Sequence, residues 1–156
     1  MATSTGPIRD DIDALDVAAA SAVASLAVQA PAQASGYLIP FHIDLAAQGD
    51  GDIVTDFLIG HKFELIGKPL FVVSEVLVGS TKTIDLVIDI GATPTTGGVT
   101  TVLSADATLG TVKAAAAAFS ALNTGSAVAV ISVRAANATA FTTGKGTLYI
   151  RVKPVA

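Results

Sequence analysis

The sequence predicts a mainly β protein, an antiparallel β-sandwich of jelly-roll type with an N-terminal helical segment. Three observations support this fold class. About eight short segments alternate apolar and polar residues with a period of two. Residues typical of turns separate these segments, and the many Val, Ile and Thr side chains suit a pleated sheet. No regular alternation of strands and helices occurs, so the sequence does not favour a parallel βαβ architecture.

The length of 156 residues fits one domain with one appendage. We predict an N-terminal arm over residues 1–36, formed by an amphipathic helix and a hinge, and a β-sandwich domain over residues 37–156. The hinge is placed at residues 29–36, where Pro, Gln, Ser and Gly concentrate.

The helix of the arm is predicted over residues 8–28. Pro7 stands where a helix can begin, and four aspartates in the first turns complement the helix dipole. Those aspartates also argue against a secretory signal peptide, whose first region is basic. Core-like side chains recur at alternating spacings of four and three, the pattern of a coiled-coil seam. This seam packs against sister copies, the chain's own body or a partner, and it consists of Ile8, Ile12, Leu15, Ala19, Ala22 and Leu26.

In the domain, a period of two predicts the strands. Pro40 confines the first of them to a sheet edge or a bulge, and Pro69 separates two others. The run of alanines predicts a short helix over residues 113–122, ended by Asn123 or Gly125. A loop is expected at residues 137–146. The predicted strands are 37–45, 53–59, 63–66, 70–78, 83–90, 99–103, 109–112, 127–134 and 147–153.

Composition excludes several classes of function. The net charge is −4 and no cluster of Lys and Arg exists, so we expect no nucleic-acid partner. No uninterrupted apolar stretch is long enough for a membrane span, so we expect no membrane partner. The absence of cysteine excludes disulfides, thiolate metal sites and thiol nucleophiles.

The residues able to carry chemistry fail the spacing tests. His42 and His61 have no partner at metal-ligand spacing. Asp50, Asp52 and Asp56 could offer oxygens to calcium, but they lack the order of a calcium loop, and a Gly/Asp turn explains them. We therefore expect no catalytic residue, no metal and no cofactor.

Two further patterns also favour structural interpretations. Asp85 and Asp89 are predicted on the solvated face of one strand, too far apart for a glycosidase pair. The run Gly144–Thr147 lacks the spacing and the following helix of a phosphate-binding loop.

Several stretches of the domain carry a resemblance to a known family. They are GHKFELIGKPLFVVSEVLVG (60–79), TIDLVIDIG (83–91), the Gly-Gly-Val loop (97–99) and FTTGKGTLYIRVKP (141–154). Over residues 37–154 the chain resembles the small β-sandwich domains of tailed-bacteriophage capsid decoration proteins, also called cement or head-fibre proteins. The shared features are a Gly beside an aromatic residue before a long apolar strand, a Gly-Gly turn, and a Phe-x-x-Gly-x-Gly entry to the last strand.

The resemblance implies jelly-roll-like subunits, commonly trimeric, that sit on the outer capsid surface and hold the shell against internal pressure. We therefore expect a non-enzymatic structural protein of the virion, a homotrimer whose partner is the major capsid protein. The alternative is a trimeric host-attachment or carbohydrate-binding module of a phage tail or bacterial surface. In that case loops at residues 91–98 and 135–145 would contact the ligand.

Overall fold

The computed structural model of the chain describes residues 36–156. In this range the chain forms ten β-strands and one 3₁₀ turn, and the strands make two antiparallel sheets. The prediction of a mainly β, antiparallel fold is confirmed. The predicted helix with its seam residues, and the hinge up to residue 35, lie outside the described residues.

The strands vary in length from two to sixteen residues. The 3₁₀ turn, Ser104–Asp106, lies between β6 and β7. The strands are β1 (Tyr37–Asp44), β2 (Gly51–Leu58), β3 (Phe63–Val78), β4 (Thr83–Ile90), β5 (Thr93–Pro94), β6 (Thr100–Leu103), β7 (Val112–Ala114), β8 (Thr124–Gly125), β9 (Val130–Thr139) and β10 (Thr143–Pro154).

The strand pairing is nested. The first sheet has the order β1-β10-β3-β7 with β8 beside β3, and the second has the order β2-β9-β4-β5 with β6 beside β4. When the two dipeptide strands β5 and β8 are set aside, eight described strands remain. Counted along the chain, the first pairs with the last, the second with the seventh, the third with the sixth and the fourth with the fifth.

Both sheets contribute to one hydrophobic core. At the margin of this core, the rings of Phe41 and Phe57 meet edge to face with centroids 5.1 Å apart, joining the first sheet to the second. A side chain at Gly146 would begin 2.1 Å from the Phe71 ring, so glycine lets this ring pack directly on β10. Examples of the alternating buried positions are Ile39, Phe41 and Ile43 in β1 and Ile84, Leu86 and Ile88 in β4.

The first predicted strand is confirmed as an edge strand. Within the described residues β1 pairs only with β10, at the end of the first sheet. Pro40 lies in the middle of β1, and an edge tolerates its missing N–H.

The prediction of two strands separated by Pro69 is wrong. The chain forms one strand, β3, of 16 residues. The register against β10 shifts between Tyr149 and Arg151, where residues 67–69 form a bulge. The bulge takes Pro69 out of the regular ladder, so the strand continues past it.

The predicted helix at residues 113–122 is also wrong, because this segment contains the end of β7 followed by chain without regular secondary structure. The Ala115 amide donates to the Pro69 carbonyl at 2.9 Å, and the Phe119 amide donates to the Gly67 carbonyl at 3.0 Å. These long-range bonds to β3 replace the local bonds of a helix. The helix propensity of alanine is a weak preference that such tertiary contacts override.

The loop expected at residues 137–146 is mostly strand. β9 continues to Thr139 and β10 begins at Thr143, so only residues 140–142 connect them. Asn137 and Gly144 both have positive φ and lie at register shifts, while pairing on both sides of each shift continues β9 and β10 past them. The loop prediction was wrong because turn residues were weighed without the partner strands β3 and β4.

Candidate interaction surface

The two histidines make separate local hydrogen bonds. His42 Nδ1 lies 3.0 Å from Thr147 Oγ1, across β1 and β10. His61 Nδ1 lies 2.8 Å from the Lys62 carbonyl oxygen, which can only accept, so this nitrogen carries the hydrogen. The Nε2 atom of the neutral ring then accepts from the Tyr37 hydroxyl at 2.8 Å. Burial raises the pKa of Tyr37 above its ordinary value of 10.0.

The Gly/Asp turn is tied to the fold by one carboxylate. Asp50 Oδ1 accepts a 2.7 Å hydrogen bond from the Ala138 amide, whereas Asp52 and Asp56 are exposed in β2. In the part of the chain that the structure describes, no three His, Asp or Glu side chains come together in a way that could hold a metal ion.

Lys145 of the Gly144–Thr147 run lies within β10 and forms an ion pair with the neighbouring strand β3. Its Nζ atom lies 3.0 Å from Glu75 Oε2 on β3. The hydrogen bond to Glu75, then the charges of Glu75 and Asp44, raise the pKa of Lys145.

The two expected ligand loops of the alternative function have different outcomes. The segment 91–98 includes the two-residue strand β5 and is held by bonds to neighbouring segments: the Thr95 hydroxyl donates to the Ile88 carbonyl at 2.9 Å, and the Thr96 amide donates to the Ala121 carbonyl at 2.8 Å. The segment 135–145 belongs mainly to β9 and β10. The first segment is therefore a loop around a short strand, and the second is mainly strand.

The surface of the second sheet that points away from the core, here called face 2, is a bonded polar network. Arg134 Nε donates to Asp89 Oδ2 at 3.1 Å, and Asn137 Nδ2 donates to Asp85 Oδ2 at 2.8 Å. The Thr101 hydroxyl donates to the other oxygen of Asp85. The expectation of a solvated face is wrong for Asp89, whose exposed fraction is only 8%. Face 2 therefore uses its charges inside the fold.

The opposite surface, the outer side of the first sheet, is here called face 1 and has a different character. Directly opposed residues of neighbouring strands share one side of a sheet, so the register defines rows across it. Leu38, Leu70 and Val112 have exposed fractions of 51%, 37% and 58%. The rows are Leu38–Arg151–Ile66, Pro40–Tyr149–Leu70–Ala114 and His42–Thr147–Val72–Val112.

Sequence analysis missed face 1. A period of two identifies the buried side of a strand but does not show whether outward side chains of several strands share a surface. The available signal was the run Leu70–Val73, in which both sides of the strand are apolar.

Within residues 36–156 no helix has the length and apolar character needed to cross a membrane. No family model, no curated protein and no solved structure matches this chain. Its function therefore has to be inferred from its own residues.

Proposed function

We propose that this chain is a structural virion protein that decorates and stabilises the outer surface of a tailed-phage capsid, with the major capsid protein as its partner. The observation that carries the proposal is face 1, where Leu38, Leu70 and Val112 on three strands expose apolar side chains on one side of a sheet. Exposed apolar side chains grouped on one side of a small domain mark an interaction site. The resemblance to capsid decoration proteins suggests the partner.

The proposal includes a jelly-roll fold. The nested pairing supports it: the first strand pairs with the last, the second with the seventh, the third with the sixth and the fourth with the fifth. A jelly roll has this pairing because one long hairpin of eight strands wraps into two sheets. Such a rigid β scaffold suits a protein that must hold its shape on a shell under outward pressure.

We further propose that the chain has no enzymatic activity and requires no cofactor. Catalysis needs an acid, a base or a nucleophile that converge on one site. The described His61, Asp50, Asp85 and Asp89 are instead bonded to structural partners on different elements.

We propose that the functional form is a homotrimer. The high apolar content of 51% favours assembly, and three linked copies multiply a modest contact with a symmetric shell. Size exclusion coupled to light scattering should give a mass near three chains. A clean monomer at micromolar concentration would refute the trimer and leave the fold proposal intact.

Capsid binding gives the direct test. Undecorated capsids assembled from the major capsid protein of the same genome are mixed with the intact protein, and occupancy is measured by electron cryomicroscopy. We expect added density on the outer surface of the shell. Absence of occupancy would overturn the decoration role and favour the host-attachment or carbohydrate-binding module.

The seam residues of the arm can be tested in the same assay. The double variant Ile12→Asp and Leu15→Asp would place charges in a contact with sister copies or the shell, at a cost of several kcal/mol if they are buried unpaired. Ser21→Asp with Ser25→Asp, off the seam, is the matched control. A chain beginning at Ser35 removes the seam altogether. Equal occupancy by all of these proteins would show that the seam is dispensable and that the domain alone attaches.

A further inference from the structure

Face 1 contains a groove beside the bulge of β3. Its volume is about 300 Å³, and its lining combines apolar and basic side chains. The residues that line it are Leu38, Ile66, Gly67, Lys68, Leu70, Tyr149 and Arg151.

The bulge builds this groove into the fold. Gly67 has a φ of +72°, and no other atom lies within 4 Å of the place where its Cβ would be. A side chain at this position would meet open space, but it would strain the backbone at this positive φ. Because the register shift at residues 67–69 and the Phe119–Gly67 backbone bond fix the bulge, the groove exists before any partner binds.

The charge of the groove differs from that of the rest of the domain. Residues 36–156 carry eight basic and nine acidic side chains, a net charge of −1, yet the groove is lined by Lys68 and Arg151 and by no carboxylate. Lys68 Nζ donates to the Ala116 carbonyl at 3.0 Å, which holds the ammonium group at the rim. Arg151 is exposed and forms no ion pair with another described residue.

We infer that this groove binds an extended acidic segment of a partner protein, with an apolar side chain against the apolar lining and carboxylates at Lys68 and Arg151. The exposed guanidinium group of Arg151 can receive a carboxylate through two parallel hydrogen bonds. The apolar lining of Leu38, Ile66 and Leu70 gains from burial of an apolar side chain.

This inference deepens the proposed function and rests on it for the identity of the partner, an exposed segment of the major capsid protein. A nucleic acid fits less well, because only two cations line the groove and the domain as a whole is acidic. Charge complementarity thus favours an acidic protein segment.

Two labelled peptides of equal length test the inference on the full chain. One alternates Leu with Asp and the other alternates Leu with Lys. We expect fluorescence anisotropy to show binding of the Leu/Asp peptide only, with an affinity that falls about tenfold between low and high salt. Equal binding of both peptides, or of neither, would overturn the inference.

A pair of variants at Gly67 separates shape from charge. Asn and Asp tolerate positive φ better than other side chains and have nearly the same size. Gly67→Asn adds an uncharged side chain to the groove lining, whereas Gly67→Asp adds a carboxylate of nearly the same size, which offsets the positive charge of Lys68 and Arg151. We expect Gly67→Asp to bind the Leu/Asp peptide about tenfold more weakly than Gly67→Asn. Equal affinities would contradict the charge argument, and thermal melts of both variants verify that the fold is retained.

Capsid occupancy by the intact protein, compared with its binding of the Leu/Asp peptide, separates this inference from the proposed function. If the intact protein decorates capsids while the Leu/Asp peptide does not bind, the inference fails and the decoration role stands. If the peptide binds with the expected charge dependence while capsids stay bare, the decoration role fails and the groove specificity stands.

Discussion

The two sheets of the domain have similar buried sides and different outer faces. On face 2, the carboxylates of Asp85 and Asp89 are bonded to side chains of neighbouring strands. On face 1, Leu38, Leu70 and Val112 remain exposed although they lie on three different strands. The inward side chains of both sheets pack in one shared core. The two sheets therefore differ only in their outer faces. Face 2 carries a bonded polar network beside the exposed side chains of Leu58 and Leu103. Among the described residues, face 1 lacks such a network, and it is the surface that we propose for a partner.

The largest expected change in the free energy of unfolding comes from comparing a substitution on the inner side of β3 with one on its outer side. Phe71→Ala removes a fully buried ring and should lower the free energy of unfolding by about 3–5 kcal/mol. Leu70→Ala, one residue earlier on face 1, should cost less than about 1 kcal/mol. Urea denaturation at low micromolar concentration measures both. Similar losses for the two variants would mean that face 1 is already covered in the isolated protein.

A smaller effect is expected from face 2. Asp89 is 8% exposed, and Arg134→Ala removes the ion-pair partner of its carboxylate. Because the Arg134 side chain is 33% exposed and partly screened by water, we expect a loss of about 1–2 kcal/mol. The matched variant Arg151→Ala on face 1 should change stability by less than about 0.5 kcal/mol. Reversal of this order in urea denaturation would contradict the assignment of the two faces.

A still smaller effect concerns Tyr37, whose hydroxyl is bonded to His61 at the start of β1. The pKa of Tyr37 is raised by burial, so the folded state retains the phenol proton more strongly than the unfolded state does. The resulting stability is present below pH 10.0 and is lost as the pH rises through the folded pKa. In Tyr149→Phe, where Tyr37 is the only tyrosine, absorbance titration should give a midpoint above 10.0. The same variant in concentrated urea is the control, and coincident midpoints would refute the shift.

Calcium should have no effect. Asp50 is engaged by the Ala138 amide, and the carboxylates of face 2 are bonded to side-chain donors. Thermal melts in EDTA and in millimolar calcium should therefore coincide. A rise of several degrees with calcium would reveal a site, because a ligand that binds only the folded state must stabilise it.

The sequence was sufficient where the pattern was local. The strand predicted at 83–90 is β4 as observed, because Ile84, Leu86 and Ile88 at every second position enter the core. The edge position of β1 was predicted from one residue, Pro40. Proline has no backbone N–H to donate to a neighbouring strand, so a strand that contains it is favoured at the edge of a sheet. The antiparallel, mainly β class rests on many such segments, so local errors did not alter it.

Tertiary structure decided the rest, because the deciding bonds join residues far apart in the chain. The alanine-rich segment 113–122 is not helical, since amides of Ala115 and Phe119 donate to carbonyls of β3. The same strand passes Pro69 because a bulge against β10 absorbs it. Face 1 and its groove exist only after pairing places β1, β10, β3 and β7 side by side. A single sequence indicates which way each side chain points along its strand, but not which strands become neighbours.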